Sequence, residues 1–493
     1  MTLIPFMPAT PLLAILVSLM AAPLIALSGR WPNIREFWTF LAAFIKIALI
    51  LSMAGWILDG NTYSLELCKI LPGLSIKLKV DGFGMLFALV ASTLWFITSI
   101  YSIGYMRGLN EHAQTRYFTF FAIALSATIG VAFSGNLLTL YLFYELLSLS
   151  TYPLVTHHQD KEARGGGRKY LTYLLGTSIG LALPAMLITY YITGSLEFSS
   201  LGVFGDTVSK PVLIALLLMF LFGFAKAGLM PFHSWLPGAM VAPTPVSALL
   251  HAVAVVKVGV FSILRILTGI FGIDLLAGQN LNTWVCIIAS FTVITSSLIA
   301  LTQDNLKRRL AFSTIGQLAY IILGAGLATK LAVTGSMLHI AMHGFGKITL
   351  FFCAGAIFVA TGKKYISQMV GIGRQMPITM AAFFIGSLSV IGLPPAGGLI
   401  SKLLMVRGAM EADMVWVLVV YLISSLLNVA YFFPIVYKAF FCEDKEALFD
   451  KKFKEAPLLC VLPLTITALI AIVLFFVPHL FSSFAEQMIM MVN

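Results

Sequence analysis

Ionisable side chains interrupt several apolar stretches of this sequence. Glu145 is the only acidic residue of the apolar run around YELLSLSTYPLV, and Lys226, Lys257, Lys347 and Lys402 stand in other such runs. A charge at the centre of a membrane costs about 2.5–3.5 kcal/mol on insertion-based scales, so residues of this kind are usually functional. A carboxylate and a lysine whose separation can change will exchange protons, because each favours the charged form of the other only at close range. The residues therefore indicate proton transfer, with a static salt bridge of Glu145 as the alternative.

Histidines accompany two of these lysines. In HIAMHGFGK, His339, His343 and Lys347 are spaced by four, which puts them on one helix face about 6 Å apart per step. His251 and Lys257 are six residues apart in SALLHAVAVVKVGV. Because histidine titrates near neutral pH, both stretches predict a proton relay. Haem ligation by His251 and His343 and polar contacts between helices are the alternatives.

Two stretches rich in glycine and proline adjoin the lysines. Lys226 lies in FAKAGLMPFHSWLPG, where we expect Pro231 to open the helix, and Lys402 ends GLPPAGGLISK. Unwound backbone at membrane depth is tolerated only inside protein or beside water. The two breaks therefore predict a hydrated interior.

Four other polar residues have simpler interpretations. Lys46 and Arg265 are isolated within apolar runs, so we expect their side chains to extend to the membrane surface. Thr244 and Ser247 follow Pro243 at a predicted helix start, where we expect them to act as N-caps.

The elements that position these residues are predicted to be transmembrane helices. The chain has 493 residues, of which 59% are hydrophobic and 10% charged, and its mean hydropathy is +0.97. This composition excludes an ordinary soluble domain and predicts an all-α, multi-pass membrane protein. Fourteen apolar runs are long enough to span a membrane: residues 3–27, 37–58, 82–105, 117–134, 137–155, 170–192, 212–230, 247–270, 281–302, 311–329, 331–361, 378–410, 414–441 and 458–480. The first run lacks a basic start, so we interpret it as a retained span.

The basic residues predict the orientation. Nineteen lysines and arginines fall in loops on one side of the fourteen predicted spans and six on the other. Because basic loops stay in the cytoplasm, both termini are predicted on the non-cytoplasmic side of the cell membrane. The net charge of +11 is thereby explained by topology, and we predict no nucleic-acid partner.

The layout of the spans predicts an internal repeat. Spans seven and twelve each contain a break, and each lies in a group of five spans. Because five is odd, consecutive groups cross the membrane in opposite directions, as in inverted-repeat transporters. The predicted segments are an N-terminal three-helix segment, two five-helix repeats, and a cytoplasmic loop with the last helix, at residues 1–116, 117–270, 281–441 and 442–493.

Cofactor sites are not expected. The five cysteines are scattered without a CxxC pair, so the sequence predicts no zinc, iron–sulfur or other cofactor site. Four buried lysines would repel a bound sodium ion, and Glu145 alone is a poor ligand set. Whether sodium or potassium moves through a partner protein stays open.

Five motifs, in this order, resemble the antiporter-like subunits shared by respiratory complex I, membrane-bound hydrogenases and the Mrp cation/proton antiporters. They are YELLSLSTYPLV, FAKAGLMPFHSWLPGAMVAPTPVSALLHAVAVVKVGVF, DNLKRRLAFSTIGQLAY, HIAMHGFGKITLFFCAG and GLPPAGGLISK. The resemblance implies two inverted five-helix repeats and partner subunits in the membrane. It also implies a proton switch formed by Glu145 and Lys226. The family's central relay matches Lys257, His343 and Lys347, and its exit matches Lys402.

The resemblance leaves the branch open between two kinds of complex. The chain ends soon after span fourteen, and Lys402 stands where another branch has glutamate, which favours a D-type Mrp subunit. The alternative is a proton-pumping subunit of a redox enzyme, such as a complex I-like NADH–quinone oxidoreductase or a hydrogenase. A third possibility is a scaffold whose polar residues no longer transport.

Overall fold

The computed structural model describes residues 8–205, 208–442 and 453–490. Residues 3–7 of the first predicted span lie outside these ranges. So does most of the predicted loop after residue 442, including Lys445, Lys451 and Lys452, which contributed to the predicted orientation.

Twenty-one α-helices form most of the described structure. They are α1 (Thr10–Leu27), α2 (Pro32–Leu58), α3 (Gly82–Gly108), α4 (Gln114–Ala132), α5 (Leu137–Val155), α6 (Lys161–Thr177), α7 (Leu183–Thr193), α8 (Lys210–Gly223), α9 (Trp235–Gly238), α10 (Thr244–Ala248), α11 (Val255–Ile266), α12 (Ile273–Gly278), α13 (Asn282–Thr302), α14 (Leu306–Gly326), α15 (Lys330–Thr361), α16 (Ile372–Gln375), α17 (Pro377–Ile391), α18 (Gly398–Glu411), α19 (Val415–Phe441), α20 (Leu458–Phe476) and α21 (His479–Met490).

Eleven of the described helical stretches are long and apolar enough to cross a membrane. Two of them are composite, since α6 and α7 join through a π-helical turn into Lys161–Thr193, and α10 and α11 join into Thr244–Phe271. The helices α8 and α17 are apolar but shorter. The chain is thus a multi-pass membrane protein, while the count of fourteen spans stays a prediction.

The described structure is mostly helical, as predicted, and contains one β-hairpin that the sequence analysis did not predict. Strands β1 (Tyr63–Leu71) and β2 (Leu74–Val80) pair antiparallel between α2 and α3. Strand β2 also binds the loop between α4 and α5, where Lys79 N donates to Phe133 O and Gly135 N donates to Lys77 O, and the first turn of α5, where Lys77 N donates to the Thr139 hydroxyl. Most β1 side chains are exposed, so the strand lacks the continuous apolar pattern that hydropathy detects.

Two helices occupy the centre of the protein. The Thr244–Phe271 stretch is completely buried, and the 32-residue α15 packs against α3, α14, α17, α18 and α20. The side chain of Thr329 caps α15 by accepting from Ala332 N, and Gly362 ends the helix with a φ of 71°. Residues 332–357 of α15 are all buried, so the polar residues in this part of the helix face protein and not lipid.

Both predicted breaks are present, but the first begins earlier than predicted. Helix α8 ends at Gly223, and Lys226 lies in a 3₁₀ turn, Ala225–Ala227, which precedes Pro231. The prediction that Pro231 opens the helix was therefore wrong. The Lys226 amide donates to the Tyr144 hydroxyl, 3.1 Å away, and not to a carbonyl of its own helix. The second break separates α17 from α18, and the inverted symmetry of the two halves stays a prediction.

The predicted N-caps of α10 were also wrong. The N-cap position is Pro243, whose side chain accepts no hydrogen bond, and both candidate residues lie inside the helix. The Thr244 hydroxyl donates to the Tyr105 hydroxyl at 3.4 Å, while the Ser247 hydroxyl bonds back to Pro243 O at 3.4 Å. Pro245 in the first turn has no backbone N–H, so one of the donors that a side-chain cap would satisfy is absent.

Candidate functional site

Eight ionisable residues predicted from the sequence lie inside the helical bundle, and we call them the central set. They are Glu145, Lys226, His251, Lys257, His339, His343, Lys347 and Lys402. The four lysines and three histidines are buried, while Glu145 is partly buried. Within the described residues, none of the four lysines forms a salt bridge.

Lys226 is held by helix α5. Its ammonium donates to Tyr144 O and to the Ser148 hydroxyl, both at 2.6 Å, and lies 3.1 Å from the centre of the Tyr144 ring. The turn that carries Lys226 packs directly on α11, because Gly259 has no side chain to separate them. This close packing fixes the lysine backbone against the central helix.

Glu145 lies one residue after Tyr144 on the same helix, but its carboxyl group does not pair with Lys226. Both carboxyl oxygens are buried and have no hydrogen-bond partner among the described residues. The structure thus places both predicted switch residues at α5, with Glu145 on the helix and Lys226 in the turn that contacts it. No salt bridge joins the two side chains. A buried carboxyl without a partner is costly unless it is protonated or reached by water.

The middle of the set joins the Thr244–Phe271 stretch to α15. Lys257 Nζ and His343 Nδ1 are 2.6 Å apart, which links the two helices by a hydrogen bond. The His251 ring packs on Phe351 with centroids 4.7 Å apart, and neither of its nitrogens has a partner in the described structure. The structure thus joins Lys257 to His343, a pair that the sequence spacing did not predict, while His251 lies outside this hydrogen bond.

The predicted stripe along α15 is confirmed. The rings of His339 and His343 stack with centroids 5.9 Å apart. Nδ1 of His339 is 2.7 Å from the Ser401 hydroxyl, and its Nε2 is 3.1 Å from Gln317 Oε1. Since Ser401 is adjacent to Lys402, these contacts continue the path from α15 towards α18.

Lys347 ends the stripe and contacts a branch of hydroxyl groups. Its ammonium donates to the Ser313 hydroxyl at 2.8 Å, and the Tyr431 hydroxyl donates to the same oxygen at 2.9 Å. Tyr431 also bonds with Asn428. The lysine therefore has polar partners on α14 and, through Ser313, on α19.

Lys402 lies one turn into α18 and folds back across the second break. Its ammonium donates to Val390 O at 2.8 Å and to Ile391 O at 3.0 Å, which are the last carbonyls of α17. Carbonyls at the end of a helix lack intrahelical partners and carry partial negative charge. A cation therefore satisfies the end of α17 at membrane depth.

The surface interpretation of Lys46 and Arg265 was wrong. Lys46 is completely buried, and its ammonium donates to the Ser18 hydroxyl at 2.5 Å. Arg265 makes two hydrogen bonds of 2.6 and 2.5 Å to Asp81, the residue that caps α3. Burial alone would raise the pKa of Asp81, but the charge and hydrogen bonds of Arg265 lower it below its usual range. Asp81 is 184 positions away from Arg265, so spacing could not reveal the pair.

A cavity of about 830 Å³ opens at the helix ends where α10 and α14 begin. Its lining includes His233 from the first break, Thr244, Lys307, Lys363 and Lys364. From Thr244 the buried stretch leads directly to His251. The cavity thus offers a basic, polar approach to one end of the central stretch.

Five residues of the network were missed by the sequence analysis: Tyr144, Ser148, Ser313, Gln317 and Ser401. Serine and tyrosine are common in membrane helices, so residue type alone does not distinguish them. A helical projection around each lysine offers a signal, because Ser401 precedes Lys402 directly and Ser148 lies one turn after Tyr144.

Two family models match the chain. Residues 134–428 match the model of the NADH:quinone oxidoreductase/Mrp antiporter transmembrane region. Residues 73–118 match the N-terminal model of NADH-ubiquinone oxidoreductase (complex I) chain 5. The first match includes every residue of the central set.

Curated relatives come from both branches. The chain is 32% identical over 444 residues to the N subunit of NADH-quinone oxidoreductase from Desulforudis audaxviator, covering 87% of this chain and 86% of that protein. It is 32% identical over 442 residues to the A-type Na(+)/H(+) antiporter subunit of Alkalihalophilus pseudofirmus, covering 83% of this chain but 53% of the longer relative. The chain thus spans about half the length of that antiporter protein.

Solved structures share the fold. A chain of the archaeal membrane-bound sulfane sulfur reductase superposes with a TM-score of 0.87 at 23% identity, covering 98% of this chain and 97% of that one. A chain of the Mrp complex from Dietzia sp. DQ12-45-1b gives a TM-score of 0.85 at 20% identity, with coverages of 97% and 96%. Together with the match over residues 134–428, these likenesses show that the chain belongs to the NADH:quinone oxidoreductase/Mrp antiporter family of membrane subunits.

Proposed function

We propose that this chain is a proton-translocating subunit of a multisubunit membrane complex, most similar in role to the Mrp cation/proton antiporters. Protons enter beside Glu145 and Lys226, pass to Lys257 on α11, move along α15 through His343 and His339, and leave at Lys402. The path runs laterally through the bundle and not along a single helix.

The Lys257–His343 contact of 2.6 Å carries this proposal. Both groups are buried and can gain or lose a proton, and no carboxylate among the described residues pairs with either. A structural ion pair would need an acid here, because an unpaired buried charge is unfavourable. A lysine bonded to a histidine instead allows one proton to be shared between two bases.

Unsatisfied polar atoms mark where water is needed to complete the path. Buried atoms without a partner, among the residues the structure describes, include both nitrogens of His251, Nε2 of His343 and Nε2 of Gln317. Such atoms are rare in folded proteins unless ordered water binds them. We therefore propose that water completes the proton path between the side chains of the central set.

The cavity at Thr244 and Lys307 supports an orientation. We propose that this cavity faces the cytoplasm and that both termini lie on the other side, because Lys307, Lys363 and Lys364 of its lining belong to the predicted loops that carry nineteen of the basic residues. The finer proposals are a D-type Mrp subunit, supported by the lysine at 402, and two inverted repeats at 117–270 and 281–441, supported by the two breaks.

Replacement of Lys226 by alanine tests the proposal. We expect Lys226→Ala to abolish pH-gradient formation in everted membrane vesicles, measured with a pH-sensitive dye and corrected for the amount of protein. The matched control is Lys46→Ala, because Lys46 is equally buried but bonds to Ser18, outside the central set. We expect the control to transport at a rate close to that of the unchanged protein.

Normal transport by Lys226→Ala would contradict the switch. If Lys226→Met, Lys347→Met and Lys402→Met all transported normally, the chain would be a scaffold whose polar residues are vestigial. Equal loss in Lys226→Ala and Lys46→Ala would show that any buried lysine is needed for folding, and that the central set has no special role.

A second function is a pumping subunit of a redox enzyme. It is supported by the 32% identity to the N subunit of NADH-quinone oxidoreductase, which the chain matches over 86% of that protein's length. Purification of the intact complex distinguishes the two. Flavin or iron–sulfur absorbance and proton flux that requires an electron donor favour the redox pump, whereas a colourless complex with sodium- or potassium-dependent proton flux favours the antiporter.

A further inference from the structure

Four ionisable residues gather outside the helices, on two neighbouring loops. Glu111 and His112 lie between α3 and α4, and His157 and His158 lie just after α5. Three of the eight histidines in the sequence are in this group. None of them belongs to the central set, and the sequence analysis gave them no role.

The four side chains converge on one carboxylate oxygen. Oε2 of Glu111 is 3.8 Å from Nδ1 of His112, from Nε2 of His157 and from Nδ1 of His158. The ligand atoms of Glu111, His112 and His157 all lie within 4.8 Å of one another. These separations are too long for hydrogen bonds, so the groups face each other without bonding.

Such separations resemble those of ligands around a single ion. Zinc binds nitrogen and oxygen at about 2.0–2.1 Å in a tetrahedron, which places neighbouring ligand atoms about 3.4 Å apart. The distances of 3.8 Å from Glu111 to the three histidines therefore need to shorten by only about 0.4 Å. The ligand atoms of Glu111, His112 and His157 are at most 4.8 Å apart, so binding also requires the imidazole nitrogens to approach each other by up to about 1.4 Å.

A hydrogen bond orients the His112 ring. Its Nε2 is 3.1 Å from the main-chain oxygen of His157, and only a protonated nitrogen can donate to a carbonyl. The lone pair of neutral His112 therefore lies on Nδ1, the atom that faces Glu111. Histidines that bind metals usually donate their other nitrogen to a carbonyl or carboxylate in this way.

The buried ring of His157 supplies a second, independent observation. This residue is completely buried, and neither ring nitrogen has a hydrogen-bond partner in the described part of the chain. Leaving a buried polar atom unsatisfied costs about 1–3 kcal/mol. Since Nε2 of His157 points towards Glu111, an ion bound between them satisfies this atom.

We propose that Glu111, His112, His157 and His158 form a binding site for one divalent transition-metal ion of the zinc class. Three imidazole nitrogens and one carboxylate oxygen are ligands that such ions prefer, whereas magnesium and calcium prefer oxygen alone. The ion joins the α3–α4 loop to the end of α5. It also lies at the edge of the 830 Å³ cavity, since Glu111 and His158 line that cavity.

Metal binding to the full-length chain tests this site directly. The protein is purified in detergent without a histidine tag, stripped with a chelator and titrated with Zn²⁺, and bound metal is counted by mass spectrometry. A parallel titration with Co²⁺ reports the coordination geometry through its visible absorption. We expect one tight Zn²⁺ per chain and a four-coordinate Co²⁺ spectrum.

The variants are chosen to keep the fold. His158→Gln and Glu111→Gln alter partly exposed ligands, whereas the buried His157 is left unchanged. We expect each variant to weaken Zn²⁺ binding at least tenfold, because loss of even an outer-shell partner costs about 10–100-fold. The control His479→Gln removes an exposed histidine elsewhere and should bind as the unchanged protein does.

Two outcomes would overturn the proposal. One is that the unchanged protein binds no stoichiometric Zn²⁺. The other is that His158→Gln and Glu111→Gln bind Zn²⁺ and Co²⁺ with unchanged affinity and spectrum, which would place the metal elsewhere. Neither readout depends on transport, so this test is independent of the proposed function.

Discussion

Gly259 offers the sharpest test of how Lys226 is positioned. It lies on α11, and a Cβ atom added there would be 2.2 Å from Ala227 N and 2.4 Å from Lys226 C. Ordinary contacts of a Cβ begin at 3.4 Å. Gly259→Ala therefore requires a displacement of about 1.2 Å between α11 and the turn that carries Lys226.

The turn should move more readily than the helix. Every residue of α11 is buried and packed, whereas the turn comprises only residues 225–227. A shift of about 1.2 Å would lengthen the 2.6 Å bonds of Lys226 to Tyr144 and Ser148 to as much as about 3.8 Å, beyond hydrogen-bond range. We expect a stability loss of about 1–3 kcal/mol from overpacking. Misplacement of a reacting group by about 1 Å can lower a rate about a hundredfold, so we expect a similar loss of transport.

Everted vesicles and a matched glycine provide the assay. Proton transport by Gly259→Ala is compared with that by Gly176→Ala, since a Cβ at Gly176 has no neighbour within 4 Å. Thermal unfolding of both proteins in detergent shows whether they are folded at the assay temperature. If folded Gly259→Ala transports within about twofold of the unchanged protein, the position of Lys226 does not control transport and our reasoning is refuted.

Three further outcomes are expected. Ser148→Ala should slow transport about tenfold or more in vesicles, because a hydrogen bond to a charged group contributes about 1.5–3 kcal/mol. The control Ser99→Ala loses only a bond within its own helix and should leave the transport rate unchanged. A rate equal to that of Ser99→Ala would contradict a role for this bond. Arg265→Met should lower the free energy of unfolding in detergent by about 3–5 kcal/mol, because it leaves Asp81 buried and unpaired. A decrease below about 1 kcal/mol would contradict a strong ion pair. Because the pKa of Asp81 is lowered in the folded state, this stabilisation is present above the ordinary aspartate pKa of about 3.9 and disappears as the pH falls through the lower folded value.

The sequence predicted features that depend on local spacing and hydropathy. The stripe of His339, His343 and Lys347 follows from helical geometry alone, and α15 confirms it. The two breaks follow from glycine and proline, although the first begins at Gly223 because the Tyr144 hydroxyl, from another helix, binds the Lys226 amide. A backbone partner supplied by a distant helix cannot be read from local composition.

The features that were missed depend on contacts between distant parts of the chain. Arg265 pairs with Asp81 across 184 positions, and Lys46 bonds with Ser18 on a neighbouring helix. Both lysine and arginine looked isolated only because their partners were far away in sequence. The histidine cluster shows the same limitation, since His112 and His157 are 45 positions apart and the prediction of no metal site considered mainly cysteines and buried lysines.

The β-hairpin has a mechanical consequence for the Glu145–Lys226 pair. Strand β2 bonds with the loop that enters α5, and Lys77 also forms a 2.8 Å salt bridge with Glu197 beyond α7. These bonds hold α5 in position, because the helix cannot slide along its axis without breaking several of them together. A change in the distance between Glu145 and Lys226 must then come from rotation of the Glu145 side chain or from movement of the short turn, Ala225–Ala227, that carries Lys226.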